Sequence, residues 1–153
     1  MDDRAVLAAL ARLGPAAEPR QKAAAKLTAE AIQRSAQSRV SAMTHGTGFT
    51  AKNIVVRPST TVNGYVVTMG DVVSEEETAR RKSLGMKSAK SGYHQEKHTG
   101  LWLEFGTIQG RPGSHTSAPR AFLFPASELE RVPHARRVRN AIAEAQADVG
   151  LGG

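Results

Sequence analysis

Few residues of this chain have the types and spacing that chemistry requires. His94 and His98 stand four residues apart with Glu96 between them. A zinc-protease helix places its glutamate directly after the first histidine, where it can reach the metal-bound water, and Gln95 holds that position here. Glycines on both sides of the segment favour a solvated loop. A small hydrolase built on these histidines would need a bound metal and a third ligand that the sequence does not identify.

The other candidate is Glu104, a lone carboxylate in the apolar stretch LWLEFG. General acid–base catalysis usually needs a second titratable group, and no sequence neighbour of Glu104 supplies one. No G-x-S-x-G motif exposes a serine as a nucleophile. The sequence therefore predicts a protein that is not an enzyme, with no cofactor and no metal.

Composition restricts the class of protein further. The chain has 153 residues, a length that fits one domain, and no cysteine, which excludes disulfides and thiolate metal sites. It shows neither a signal-peptide pattern nor an apolar run long enough to span a bilayer, so we expect a soluble, intracellular protein without a membrane partner. The net charge of +7 favours polyanionic partners.

Hydrophobic periodicity predicts the elements that position these residues. Apolar residues three and four apart predict a long helix over 20–43, and β-branched runs flanking Asn63-Gly64 predict a hairpin over 52–72 with a two-residue turn. The predicted fold is a single α+β domain: a long N-terminal helix packed on a small antiparallel sheet with a β-hairpin and a C-terminal helix. The other predicted segments are a short helix over 1–14, a linker over 15–19, a strand and loop over 101–126, and a C-terminal helix over 134–148.

Residues 74–98 form a polar excursion without a sustained apolar period, for which we predict mobility in the isolated subunit and a short helix near 75–83. The positive charge of the chain is concentrated there. The predicted partner-facing or DNA-facing cations are Arg80, Arg81, Lys82, Lys87, Lys90 and Lys97.

Two short elements carry a resemblance to a known family. LWLEFGT, ending in Glu104, Phe105, Gly106 and Thr107, is followed after a loop by PRAFLFPA, which contains Phe122, Leu123, Pro125 and Ala126. This pair resembles the signature of the neck and tail-completion (head–tail joining) proteins of long-tailed, lambdoid-type bacteriophages. The order of elements, with a long helix, a hairpin, the signature and a closing helix, is also similar.

The resemblance implies a structural virion protein, assembled in the host cytoplasm, that forms a homo-oligomeric ring at the phage neck, hexameric by analogy with the family. Its implied partners are the head-side connector or stopper protein, the tail tube protein, and genome DNA passing through the lumen without sequence-specific binding. A tail terminator of the same neck region is a close alternative. A small basic nucleic-acid-binding module is an alternative from another class, although the basic segment offers only Tyr93 for base stacking.

Local patterns predict roles for the two elements. If 101–105 is a strand, Glu104 lies beside Trp102 on one face, and we expect it to accept hydrogen bonds from amides of the 106–120 loop or from an arginine of an adjacent subunit. Glu104, Phe105, Gly106 and Thr107 are therefore predicted subunit or loop contacts. Phe122, Leu123 and Pro125 are predicted core anchors. An extended AFLF run would place Phe122 and Phe124 on the same face.

Overall fold

The computed structural model describes residues 3–43, 49–70 and 120–151, together with Ala79, Ser83 and Glu104. It confirms the predicted α+β class: a long N-terminal helix, a two-stranded antiparallel sheet and a C-terminal helix, with helix predominating. In chain order the elements are α1 (Asp3–Met43), α2 (Phe49–Lys52), β1 (Ile54–Pro58), β2 (Tyr65–Met69) and α3 (Leu123–Asp148).

Helix α1 continues through prolines at positions 15 and 19, so the predicted separate helix over 1–14 and the linker after it are wrong. A proline in a helix interior removes a hydrogen bond and costs about 3 kcal/mol. Tertiary contacts stabilise the part of α1 that contains these prolines. Glu18 accepts a hydrogen bond of 2.9 Å from Asn63 at the hairpin tip, and Arg20 forms an ion pair with Asp148 at the end of α3. These contacts offset the local preference for a break.

Helix α3 is also longer than predicted, because it begins at Leu123 rather than 134 and includes Pro133. It packs antiparallel to α1, and this packing supports the turn around the proline. The helix ends in a Schellman motif, in which the amide of Leu151 donates to the carbonyl of Gln146 at 2.8 Å. Gly150 makes this ending possible with a φ of +76°, a conformation that residues with a Cβ rarely adopt.

The hairpin forms where the sequence predicts it, with Ile54 opposite Met69 and Pro58 opposite Tyr65. The predicted two-residue turn is wrong, because residues 59–64 form the connection and none of them has a positive φ. Pro58 carries no amide hydrogen. The hydroxyl of Ser59 accepts hydrogen bonds from the amides of Thr61 and Val62. These hydrogen bonds to the serine side chain favour the longer connection over a tight Asn-Gly turn.

The core lies where α1, α2, the hairpin and the start of α3 meet. Its largest fully buried side chains are Phe122, Ile54 and Val40. Gly70 closes the sheet end nearby, since its amide donates to the Asn53 carbonyl at 2.5 Å and a Cβ there would lie 3.1 Å from that oxygen. The other members of the cluster are Ala36, Ala51, Met69 and Ala126. Three of the seven members of this cluster, as far as the described residues show it, are alanines.

Two further predictions concern residues that are described only in part. Glu104 lies in a helical segment, so the predicted strand over 101–105 is wrong at this position. Ala79 and Ser83 are helical, whereas the other residues of the 74–98 excursion, including its cations, lie outside the described residues. Within the described ranges, no helix combines the length and apolar character needed to cross a membrane.

Candidate functional site

The carboxylate of Glu104 binds the N-terminus of α3. One oxygen, Oε2, accepts hydrogen bonds from the amides of Phe122 and Leu123 at 2.7 and 2.8 Å, and Oε1 accepts one from Phe124 at 2.9 Å. Glu104 is only 8% exposed. A buried carboxylate needs such donors to compensate for lost hydration, and a helix N-terminus supplies them along with a favourable dipole.

This contact satisfies every free donor of the first turn. A helix leaves four amides without intrahelical partners, here those of the cap residue and the next three positions. The cap residue, Phe122, has no side-chain oxygen to offer, and the fourth of these positions is Pro125, which has no amide hydrogen. The amide of Ala126 then donates to the Phe122 carbonyl at 3.4 Å. Glu104 therefore supplies, from a distant segment, the cap that the local sequence lacks.

The sequence prediction for Glu104 differed from this geometry in one respect. The oxygens accept backbone amides, but these amides belong to 122–124 rather than to the 106–120 loop. Because both oxygens are occupied by amide donors, the carboxylate is arranged as a structural acceptor. The predicted contacts at Phe105, Gly106 and Thr107 lie outside the described residues.

The aromatic residues of the second element occupy different environments. Phe122 is fully buried, whereas Phe124 is 66% exposed, so the predicted extended run with both rings on one face is wrong. The helix that begins at Leu123 rotates successive side chains by about 100° and separates the two rings. Leu123 packs on the edge of the core and Pro125 is half-buried.

An open groove of about 730 Å³ lies beside this cap, between the hairpin and α3, with small residues of α1 as its floor. Exposed apolar side chains of Val62, Val66 and Phe124 line it. Among the described residues that line it, none is Asp, Glu, Lys or Arg. They are Ala25, Thr28, Ala29, Ile32, Val62, Asn63, Gly64, Tyr65, Val66, Val67, Leu123, Phe124, Ser127 and His134.

A polar cluster joins α1 to α3 at one side of the groove. The Thr28 hydroxyl donates to the Ala24 carbonyl at 3.0 Å and accepts from Arg137, whose guanidinium also contacts Glu130 at 2.7 Å. His134 Nδ1 lies 3.0 Å from the same hydroxyl oxygen. Since a hydroxyl has one hydrogen to donate, this network makes Nδ1 the donor toward Thr28. The cluster fixes the rotation of α3 relative to α1.

Sequence reasoning missed the groove and this cluster. Thr28 and His134 are separated by 106 residues and carry no motif. The only available signal was a polar threonine beside the apolar stripe of α1. Within the described part of the chain, no group of three or more potential metal ligands occurs, and His94, Glu96 and His98 lie outside it.

Compared with family models, curated proteins and solved structures, the chain matches none of them.

Proposed function

We propose that this protein is a structural subunit of the neck of a long-tailed bacteriophage, in which copies of the chain form a ring around the DNA channel between head connector and tail tube. The proposal starts from the two sequence elements that resemble neck and tail-completion proteins. In this role the chain positions other proteins and performs no chemical reaction.

The observation that supports this proposal most directly is the contact between the two elements. Glu104 of the first element accepts three hydrogen bonds from the backbone of Phe122, Leu123 and Phe124 in the second. Glu104 and the Phe-Leu-x-Pro-Ala segment therefore form one structural unit, which supports reading the two elements together. The proline fits this unit because its position needs no amide hydrogen.

The exposed apolar surface also favours an assembled state. Leu7, Leu10 and Leu27 on α1 and Leu129 and Val132 on α3 are each more than half exposed. A subunit of a ring would bury such a surface against identical neighbours. A ring requires a head-to-tail contact between two different patches, and these residues lie on two different helices.

The test is the mass and shape of the purified full chain, measured by sedimentation velocity, native mass spectrometry and negative-stain electron microscopy. We expect closed rings with an open lumen, hexameric by analogy with the family. A matched variant, Leu129→Ser with Val132→Ser, should reduce ring formation while leaving the helical circular dichroism signal unchanged. A chain that stays monomeric at tens of micromolar, yet binds DNA with strong salt dependence, would instead support the nucleic-acid-binding module.

The basic excursion offers a second test of the neck role. Joint replacement of Arg80, Arg81, Lys82, Lys87 and Lys90 with Ser should leave the subunit folded but prevent heads from joining tails, if these cations contact carboxylates of an adjoining ring. Normal joining with altered DNA retention or ejection would assign them to the channel. Normal behaviour in both assays would remove them from the proposed function.

A further inference from the structure

The outer edge of β2 carries backbone groups without partners. The pairs Asn53–Gly70 and Ser59–Gly64 at the two ends of the hairpin are joined by backbone hydrogen bonds. Because hydrogen-bonded pairs alternate along an antiparallel ladder, Val66 and Thr68 point their amides and carbonyls toward β1. Tyr65 and Val67 must then point theirs away from it, and no hydrogen bond joins these outward groups to another described residue.

At the other edge of the hairpin, the outward backbone positions at the two ends of β1 are blocked. The outward carbonyl of Ile54 on β1 accepts hydrogen bonds from Gln33 and Gln37 of α1, at 2.6 and 3.3 Å. Pro58 occupies the last outward position of that strand and has no amide hydrogen to offer. Native proteins commonly block strand edges by such means. Strand β1 is thus blocked at both of its ends, whereas no such contact from the described residues blocks Tyr65 or Val67 of β2.

The groove lies along this open edge. Its lining includes Tyr65, Val66 and Val67 of β2 but no residue of β1, and α3 forms the opposite wall. An edge amide and carbonyl recur every second residue, about 6.8 Å apart, which is the spacing of a paired strand. The described part of the lining carries no Asp, Glu, Lys or Arg side chain, which matches an occupant that is uncharged along the inserted stretch.

We propose that β2 accepts an extended, uncharged segment of a partner protein as a third strand in this groove. Backbone hydrogen bonds to Tyr65 and Val67 would hold the segment, and alternate apolar side chains would contact Val62, Val66 and Phe124 at the groove. The site does not depend on the neck role, since strand addition requires only the open edge and the groove beside it.

The probe is a capped peptide, Lys-Thr-Val-Thr-Val-Thr-Lys, titrated into the full chain and followed by amide NMR and hydrogen exchange. We expect the amides of Tyr65 and Val67 to become protected, while those of Val66 and Thr68 keep the protection they already have in the ladder. N-methylation of the alternate peptide residues that face β2 should weaken binding by about tenfold or more, because each lost hydrogen bond matters. N-methylation of the residues that face away should change it by less than about twofold.

A variant of the chain gives an independent measurement. Val67→Pro removes an outward amide without removing a ladder bond, and it should abolish peptide binding. Should Val67→Pro fold poorly, the pair of N-methylated peptides still decides the question. Equal binding of those two peptides, or no binding at millimolar concentration, overturns the proposal. The proposal is also overturned if the amides of Tyr65 and Val67 are already protected from exchange without peptide and lose this protection on dilution. A second copy of the chain would then occupy the edge.

Discussion

Replacing Glu104 with Gln should destabilise the protein by about 2–3 kcal/mol. The substitution keeps the size of the side chain but replaces one carboxylate oxygen with an NH₂ group, which cannot accept these bonds. Depending on the orientation of the glutamine, this NH₂ group faces either the amide of Phe124 or the amides of Phe122 and Leu123. A hydrogen bond to a charged group contributes about 1.5–3 kcal/mol, and the interaction of the charge with the helix N-terminus adds about 0.3–1 kcal/mol. These contributions overlap, so their sum is an upper bound.

Glu104→Ala removes all three acceptors, and we expect a larger loss of about 3–5 kcal/mol. The matched control is Glu128→Gln, which removes the same charge near the same end of α3 from an exposed side chain whose contact with Arg131 spans 3.7 Å. That control should cost less than about 1 kcal/mol.

Urea unfolding followed by circular dichroism measures these differences. With a slope of about 1–3 kcal/mol per molar urea, the Glu104→Gln midpoint should fall by about 0.7–3 M. Hydrogen exchange provides a local measurement, because the amides of Phe122, Leu123 and Phe124 should lose protection more than those in the middle of α3. Equal midpoints for Glu104→Gln and Glu128→Gln would refute the capping role, as would unchanged exchange at the first turn of α3.

Further substitutions at three places test the packing around this site. Phe122→Ala should cost about 3–5 kcal/mol because the ring is fully buried, whereas Phe124→Ala should cost less than about 1 kcal/mol, and equal, mild losses in thermal unfolding would contradict the assignment. Thr28→Val leaves His134 and Arg137 without their common acceptor, so chemical unfolding should show a loss of about 1–3 kcal/mol, and parent-like stability would remove the cluster from the α1–α3 contact. Gly70→Ala forces a Cβ to 3.1 Å from a backbone oxygen and should lower the unfolding midpoint by an amount equivalent to about 1–3 kcal/mol. The contrast is Gly14→Ala inside α1, where open space surrounds the glycine and the change should stabilise the helix by about 0.5–1 kcal/mol.

The sequence was most informative where local pattern and tertiary structure agree. The stripe of α1 placed Ala29, Ala36 and Val40 in the buried face correctly, because small apolar residues at helical spacing have no better position than a core. The hairpin was located within a few residues for the same reason. Its turn was not, since Pro58 and Ser59 alter the local hydrogen bonding in a way that the Asn-Gly rule ignores.

The errors have a common physical origin in contacts between distant residues. Prolines at 15, 19 and 133 were interpreted as breaks because local sequence contains no information about the packing of α1 on α3. Glu104 was assigned to a strand because it lies in a short apolar run, yet its partner amides lie 18 to 20 residues further along the chain. A cap supplied from such a distance has no local sequence signature, so the amides of the nearer 106–120 loop were expected in its place.

The long separation between α1 and α3 has a consequence for synthesis of the protein on the ribosome. Arg20 and Asp148 are 128 positions apart, so the face of α1 that meets α3 emerges long before its partner helix does. At about 5–20 residues per second, the roughly hundred residues between the end of α1 and the end of α3 take on the order of 5–20 s to translate. During that interval the nascent α1 exposes a face made mainly of Ala and Thr, such as Ala17, Ala24 and Thr28, rather than of large side chains. A face with so little apolar area binds chaperones and other nascent chains weakly. We therefore expect α1 not to aggregate through this face before α3 has been synthesised.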